Sequence, residues 1–147
     1  MIVEDFTKLW NKLSRDWKLT LEQELAPLTE SQLHILELLL ESSAMKPSDF
    51  VQHLSTTPAA ITTILDRMER NELISRERDE NDRRVVWINV TEKGFAEAVR
   101  GSNVRKAVIE RSLDRISSHN QQLLVYLLSK VATPAEAATQ TKVHMTP

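Results

Sequence analysis

The sequence predicts a mainly α-helical protein with one small β-hairpin, and three observations carry that expectation. Apolar residues recur at helical spacing through most of the 147 residues. One stretch, Leu73 to Val90, changes to short β-branched and aromatic segments on either side of a wholly polar centre. There are two glycines and no cysteine, which excludes a Gly-rich phosphate loop, a disulfide framework, a thiolate nucleophile and cysteine-based zinc or redox chemistry. A chain of this length buries a core without a covalent staple.

With 19 Lys+Arg against 21 Asp+Glu the net charge is -2, so the broad positive field of many nucleic-acid binders is missing and any such function must rest on local charge. No apolar run approaches the ~18 residues of a membrane span. The start, Met1-Ile2-Val3-Glu4-Asp5, lacks a basic segment followed by an apolar one. A soluble, cytoplasmic protein with no membrane partner is expected.

Taken in order, Phe6, Leu9, Trp10, Leu13 and Trp17 mark an amphipathic helix from about Val3 to Lys18, continuing or restarting through Leu21 and Leu25 and ending before Pro27. Thr29-Glu30-Ser31-Gln32 has the capping-box pattern and opens an apolar helix through Leu33, Leu36, Leu39 and Leu40, broken at Ser42-Ser43. Pro47-Ser48-Asp49 starts a short helix carrying Phe50, Val51 and Leu54. Ser55-Thr56-Thr57 interrupts it, and Pro58 takes a first-turn position in the next helix, whose apolar face is Ile61, Ile64, Leu65 and Met68. The hairpin follows, with Asp79-Glu80-Asn81-Asp82-Arg83 between its arms. Thr91-Glu92-Lys93-Gly94 begins a long helix expected to run through Leu113 and Ile116. Leu123, Leu124, Leu127, Leu128 and Val131 mark a last one. From Thr133 the composition is small, polar and proline-punctuated, the pattern of a flexible tail.

A short helix, a tight turn into a second helix and a hairpin with a charged tip make up a winged helix-turn-helix. In that arrangement the second helix enters the DNA major groove and the hairpin reaches the neighbouring minor groove. Small residues at the start of that second helix, Thr57, Ala59, Ala60, Thr62 and Thr63, allow close approach to the groove floor, with hydroxyls for phosphates or base edges and methyls for thymine. The plainer alternative is that Thr57 only caps and the others face water. Arg67, a turn beyond Thr63, suits a phosphate or a guanine edge unless it pairs with Asp66 or Glu69. At the tip, Asp82 is spaced to hold the Arg84 guanidinium through two bonds and so aim it. Acidic Asp79, Glu80 and Asp82 offer the rival outcome of a neutralised, solvated turn. From Lys46 to Arg100 there are nine basic and ten acidic residues, so placed contacts rather than a general field must supply affinity.

Leu28-Thr29, Gln32, Leu36, Phe50-Val51, Leu54, Ala60-Ile61-Thr62, Leu65-Asp66-Arg67-Met68-Glu69, Leu73-Ile74, Arg76, Asp82-Arg83-Arg84 and Val90-Thr91-Glu92-Lys93-Gly94 closely resemble the MarR family of bacterial transcription regulators. The resemblance runs motif by motif from about Leu28 to Gly94 and is strongest in Asp82, Arg84, Thr91 and Gly94. It implies a homodimer bound to double-stranded DNA at a pseudo-palindromic operator, more often as repressor than activator. Arg84 would be the minor-groove residue and Arg83 a phosphate contact, with Arg76 and Arg78 adding backbone contacts. One departure stands out: Glu72 occupies a position where the family often has glycine, and Asn71 is then the expected turn-maker.

The resemblance also pairs the terminal stripes, Phe6, Leu9, Trp10, Leu13 and Trp17 with Leu123, Leu124, Leu127, Leu128 and Val131, across a dimer axis. An intrachain helical core is the competing assignment. The implied organisation is an N-terminal dimerisation helix over 1–27, the winged helix-turn-helix over 28–100, C-terminal dimerisation helices over 101–133 and a flexible tail over 134–147. Many relatives respond to small aromatic acids, for which Trp10, Trp17 and Arg15 are the candidate lining. His34 and His53, beside apolar positions, fit structural roles better than metal ligation, and no cofactor, metal or catalytic residue is expected. The main rival function is a winged-helix protein-interaction module without DNA-binding activity. An oriented arginine at the tip argues against it, and an enzyme is a distant third.

Overall fold

The computed structural model describes residues 1–132; the expected tail over 134–147 lies outside the described residues. Two compact units are present, Met1–Ile109 and a second that starts at Glu110.

The first unit holds α1 (Ile2–Leu25), α2 (Glu30–Ser42), β1 (Ala44–Met45), α3 (Pro47–Leu54), α4 (Pro58–Arg70), β2 (Ile74–Arg78), β3 (Val86–Val90) and most of α5 (Glu92–Leu113). The sheet is antiparallel in the order β1-β3-β2. Ile74 faces Val90 and Arg78 faces Val86 across the hairpin, while Met45 pairs with Ile88 on the other edge of β3. The two-residue β1 had no signal of its own, because a strand this short shows no alternation; backbone pairing with β3 defines it.

The core lies under the helix-turn-helix. Leu33, Ile35, Leu36 and Leu39 of α2 meet Phe50 of α3, Ile61, Leu65 and Met68 of α4, and Ile74 and Ile88 of the sheet, all buried. Full burial of each such side chain contributes roughly 1.5–3 kcal/mol, which fixes the exposed face of α4 by burying the other. By contrast α1 buries only its final residue, Leu25. The expected capping box is present: Thr29 Oγ1 accepts from the Gln32 amide and Gln32 Oε1 from the Thr29 amide, each at 3.2 Å.

The turn after α4 corrects the assignment of Asn71. Asn71 has φ -85°, whereas Glu72 takes the left-handed conformation at φ 62°. The Leu73 amide donates to Met68 O and the Glu72 amide to Glu69 O, both at 2.9 Å, the double closure of a Schellman turn. Its left-handed position falls one residue beyond the cap, so the backbone demands φ > 0 from Glu72 whatever side chain is there. The following segment secures it: Thr91 Oγ1 donates to Glu72 O at 2.6 Å, and Lys93 Nζ to Asn71 O at 2.8 Å. Because a Cβ is strained in this conformation, Glu72→Gly is expected to stabilise the protein by about 0.5–1 kcal/mol. Thermal unfolding is the check, with a rise of a few degrees in Tm expected and an unchanged or lower Tm counting against the strain.

Gly94 explains the spacing Thr91-x-x-Gly94. Thr91 Oγ1 accepts from the Gly94 amide at 3.0 Å, and the Thr91 amide donates to Leu73 O at 3.1 Å. This presses the first turn of α5 onto the Leu73 backbone, so that a Cβ on Gly94 would lie 2.0 Å from Leu73 O. Farther along α5, Arg100 Nη2 donates to Leu25 O at 2.8 Å, and Arg105 binds Glu37 of α2 through two hydrogen bonds.

In the second unit α5 ends at Leu113, not at Ile116 as expected. Residues 114–117 form a turn, in which Ile116 donates its amide to Leu113 O at 3.1 Å. Ser117 then caps α6 (Ser118–Val131) by accepting from the Asn120 amide. No residue of α6 is buried.

Candidate nucleic-acid interface

Pro58 at the first position and Thr57 at the cap begin α4, with Thr57 Oγ1 accepting from the Ala60 amide at 3.2 Å. Ile61, Leu65 and Met68 face the core, so Ala59, Thr62, Thr63, Asp66, Arg67 and Arg70 share the exposed face, with Ala60 half-buried at its edge. Thr62 Oγ1 donates to Pro58 O at 3.0 Å and Thr63 Oγ1 to Ala59 O at 3.1 Å. Each hydroxyl hydrogen is therefore turned back into the helix, which leaves the oxygen lone pairs and the methyl on the exposed face.

The acidic residues on α4 are held by Arg76 of β2, which binds Asp66 at 2.7 Å and also Glu69. Partial burial is the largest single contribution and acts to lower the Arg76 pKa, but the hydrogen bonds that its guanidinium donates to Asp66 and Glu69, with their charges, outweigh it and raise the pKa. Arg76 thus directs its charge to two half-exposed carboxylates of its own chain and neutralises them on the exposed face of α4. With Asp66 and Glu69 taken, neither forms an ion pair with Arg67 among the described residues.

At the hairpin tip Arg84 donates from Nε to Asp82 Oδ1 at 3.1 Å and from Nη2 to Oδ2 at 3.2 Å, while its backbone amide also reaches Oδ1 at 3.1 Å. The Arg84 side chain remains 91% exposed, so the guanidinium is aimed without being covered. Those bonds hold the Asp82 carboxyl below its ordinary pKa, and it stays ionised into mildly acidic solution. Arg83 projects into solvent and its carbonyl accepts from Arg78 Nη1 at 2.7 Å.

Sequence reasoning missed Asp79, which it treated only as a neutralising acid. Its carboxylate accepts from the amides of Asn81 and Asp82 at 2.8 and 3.1 Å and from Trp87 Nε1 at 3.0 Å. These bonds, the indole's first, lower its pKa. The available signal was an aspartate two and three residues ahead of a polar turn, the Asx-turn pattern.

Of the terminal stripes, Phe6, Leu9, Trp10, Leu13, Leu123, Leu124, Leu127, Leu128 and Val131 are all exposed, and Trp17 is half-buried. Phe6 and Trp10 stack with ring centroids 6.2 Å apart. Trp10 and Trp17 line an apolar cavity of about 320 Å³ with Leu21, Arg105 and Val108; Arg15 is not among its lining residues, and Lys18 and Arg105 supply the cations there. Arg15 lies off the cavity because only one face of α1 borders it. His34 and His53 are exposed rather than packed into the core. Among the described residues no group of three or more His, Cys, Asp or Glu is arranged to hold a metal ion, and no helix is long and apolar enough to cross a membrane.

The profile of the MarR family matches residues 28–86, from the end of the α1–α2 connection to the start of β3. The HTH-type transcriptional repressor MdtR of Bacillus subtilis is 30% identical over 112 residues, covering 74% of this chain and 70% of that protein. The crystal structure of the YusO protein from Bacillus subtilis has a TM-score of 0.77 at 25% identity, covering 91% of this chain and 94% of that one. A mutant of MarR from E. coli, complexed with operator DNA, has a TM-score of 0.68 at 22% identity, covering 89% and 96% of the two chains, and speaks for the fold alone. The same helix-turn-helix and hairpin that carry the exposed threonines and the aimed arginine are thus the part that the family shares, and the chain belongs to the MarR family of winged-helix transcriptional regulators.

Proposed function

We propose that the protein is a sequence-specific DNA-binding regulator that works in the cytoplasm as a homodimer on a pseudo-palindromic operator, and that it represses. The observation that carries this reading is Arg84, fixed by two hydrogen bonds from its guanidinium to Asp82 and still almost fully exposed. An arginine held in this way enters a narrow minor groove with little loss of side-chain entropy and responds to its potential. Thr57, Ala59, Ala60, Thr62 and Thr63 face the major groove, while Arg67 and Arg83 meet phosphates. Arg76 serves the interface indirectly by holding Asp66 and Glu69. The exposed stripes of α1 and α6 pair with those of a second copy. MdtR is a repressor and MarR of E. coli binds operator DNA in this fold, which supports the same direction here. The cavity beside Trp10 and Trp17 suits a small aromatic effector.

Selection of bound duplexes from a random pool tests the reading, and a pseudo-palindrome is the expected product. A winged-helix protein-interaction module would recover no common sequence. On the selected duplex, Arg84→Ala should lower affinity roughly tenfold and flatten the log-log salt dependence by about one unit, with Tm unchanged because the residue is exposed. Equal affinity across the salt titration would remove Arg84 from the contact.

A further inference from the structure

We propose that Trp87 and Asp79 are positioning residues for Arg84, forming a relay that runs from the sheet to the hairpin tip; the consequence for DNA rests on the function proposed above. Residues 79–85 lie between the paired strands, where no ladder fixes their shape. Two backbone bonds close the turn, Asp79 N to Val85 O and Val85 N to Asp82 O, both at 3.0 Å. The remaining order comes from side chains. Arg84 takes its direction from Asp82, and the Asp82 amide is held in turn by Asp79 Oδ1 at 3.1 Å. Oδ1 also accepts from Asn81, so the other carboxylate oxygen decides whether the Asp79 side chain keeps one orientation. That oxygen, Oδ2, accepts from Trp87 Nε1 at 3.0 Å.

Trp87 suits this role because the indole N–H is a donor only and its ring is anchored. It sits half-buried on β3 opposite Glu77, and Lys46 Nζ lies 5.7 Å from its ring centroid. Lys46 is the cap residue of α3, so the relay begins at the helix-turn-helix and ends at the tip. It thereby relates the direction of Arg84 to the body that carries α4. Without the indole N–H, Asp79 Oδ2 turns to water, and the bonds that shape residues 81, 82 and 84 lose a fixed starting point.

Trp87→Phe separates this role from simple packing, since it keeps a ring over which Lys46 can sit and removes only the N–H. In the free protein, the nitrogen-15 signal of Arg84 Nε–H, assigned by its loss in Arg84→Ala, should move towards the free-arginine position and show a lower order parameter. On the pool-selected duplex, Trp87→Phe should weaken binding three- to tenfold in the otherwise native chain and less than twofold when Arg84 is already alanine. Asp79→Asn, which puts an amide N–H₂ or a neutral oxygen against the indole, should act in the same direction and serves if Trp87→Phe fails to fold. An unchanged Arg84 Nε–H signal in both variants would overturn the relay, as would equal fold losses in the native and Arg84→Ala backgrounds. If Arg84→Ala itself binds the duplex like the native protein, the DNA reading of the tip fails, while the Nε–H signal still decides whether the relay exists.

Discussion

Leu127→Asp should convert the protein to monomer at micromolar concentration and lower its affinity for the selected duplex by a factor of roughly 10² or more. No residue of α6 is buried within one chain and Leu127 is 51% exposed, so the substitution removes no intrachain core contact and the helical content should hold. In the proposed dimer it places two carboxylates in an apolar seam with Leu123, Leu124, Leu128 and Val131. Withdrawing an ion from water without a partner costs several kcal/mol, and each 1.4 kcal/mol is tenfold in the dissociation constant. DNA binding falls with assembly because two linked half-site contacts gain an effective concentration near millimolar that single subunits lack. Sedimentation velocity at several concentrations, with circular dichroism as the folding control, is the measurement. A folded variant that remains wholly dimeric would remove α6 from the interface.

Gly94→Ala should destabilise the fold by about 3 kcal/mol, the upper end for an overpacked site. The added methyl would lie 2.0 Å from Leu73 O and 2.9 Å from Val90 Cγ2. Leu73 O has no room to withdraw, since it accepts from the Thr91 amide while the Leu73 amide is held by Met68 O. Relief requires α5 to lift from the end of α4, breaking the Thr91 and Lys93 bonds to Glu72 O and Asn71 O. Urea denaturation reports the loss as a lower midpoint at constant slope, whereas a loss below ~1 kcal/mol would mean that α5 tilts freely.

Most of this was open to sequence reasoning where one residue type answers one local demand. The Thr29 and Gln32 pair, Pro47, Pro58 and the cap at Thr57 fixed where helices start, and the spacing of Asp82 and Arg84 foretold the two guanidinium bonds. Reasoning failed where the backbone decides before the side chain does. Asn71 has the better intrinsic preference for a left-handed turn, yet hydrogen bonding of the Leu73 and Glu72 amides to the Met68 and Glu69 carbonyls places that turn at Glu72. Asp79 and Arg76 were misread for another reason: their partners are Trp87, eight residues away, and Asp66 and Glu69 on a different element. Charge counted along the chain says nothing of such pairing across it. The apolar stripes at Phe6 and Leu127 were legible as stripes, while their exposure required the packed structure.

The anchoring of α1 has a mechanical consequence. The helix is seized at one end, where Leu25 is buried and its carbonyl is held by Arg100, and most of its length lies clear of the core. Any tilt of the helix would pivot at this end, with the half-buried Leu21 and Trp17 nearest the pivot. From Leu25 to Phe6 is 19 residues, or about 28 Å at 1.5 Å per residue, so a swing of about 10° carries Phe6 through about 5 Å. One base-pair step is about 3.4 Å. The cavity lined by Trp10 and Trp17 lies along this arm, so in the proposed dimer a small molecule wedged there would have the leverage to shift the spacing of the two DNA-binding domains out of step with the helical repeat of an operator.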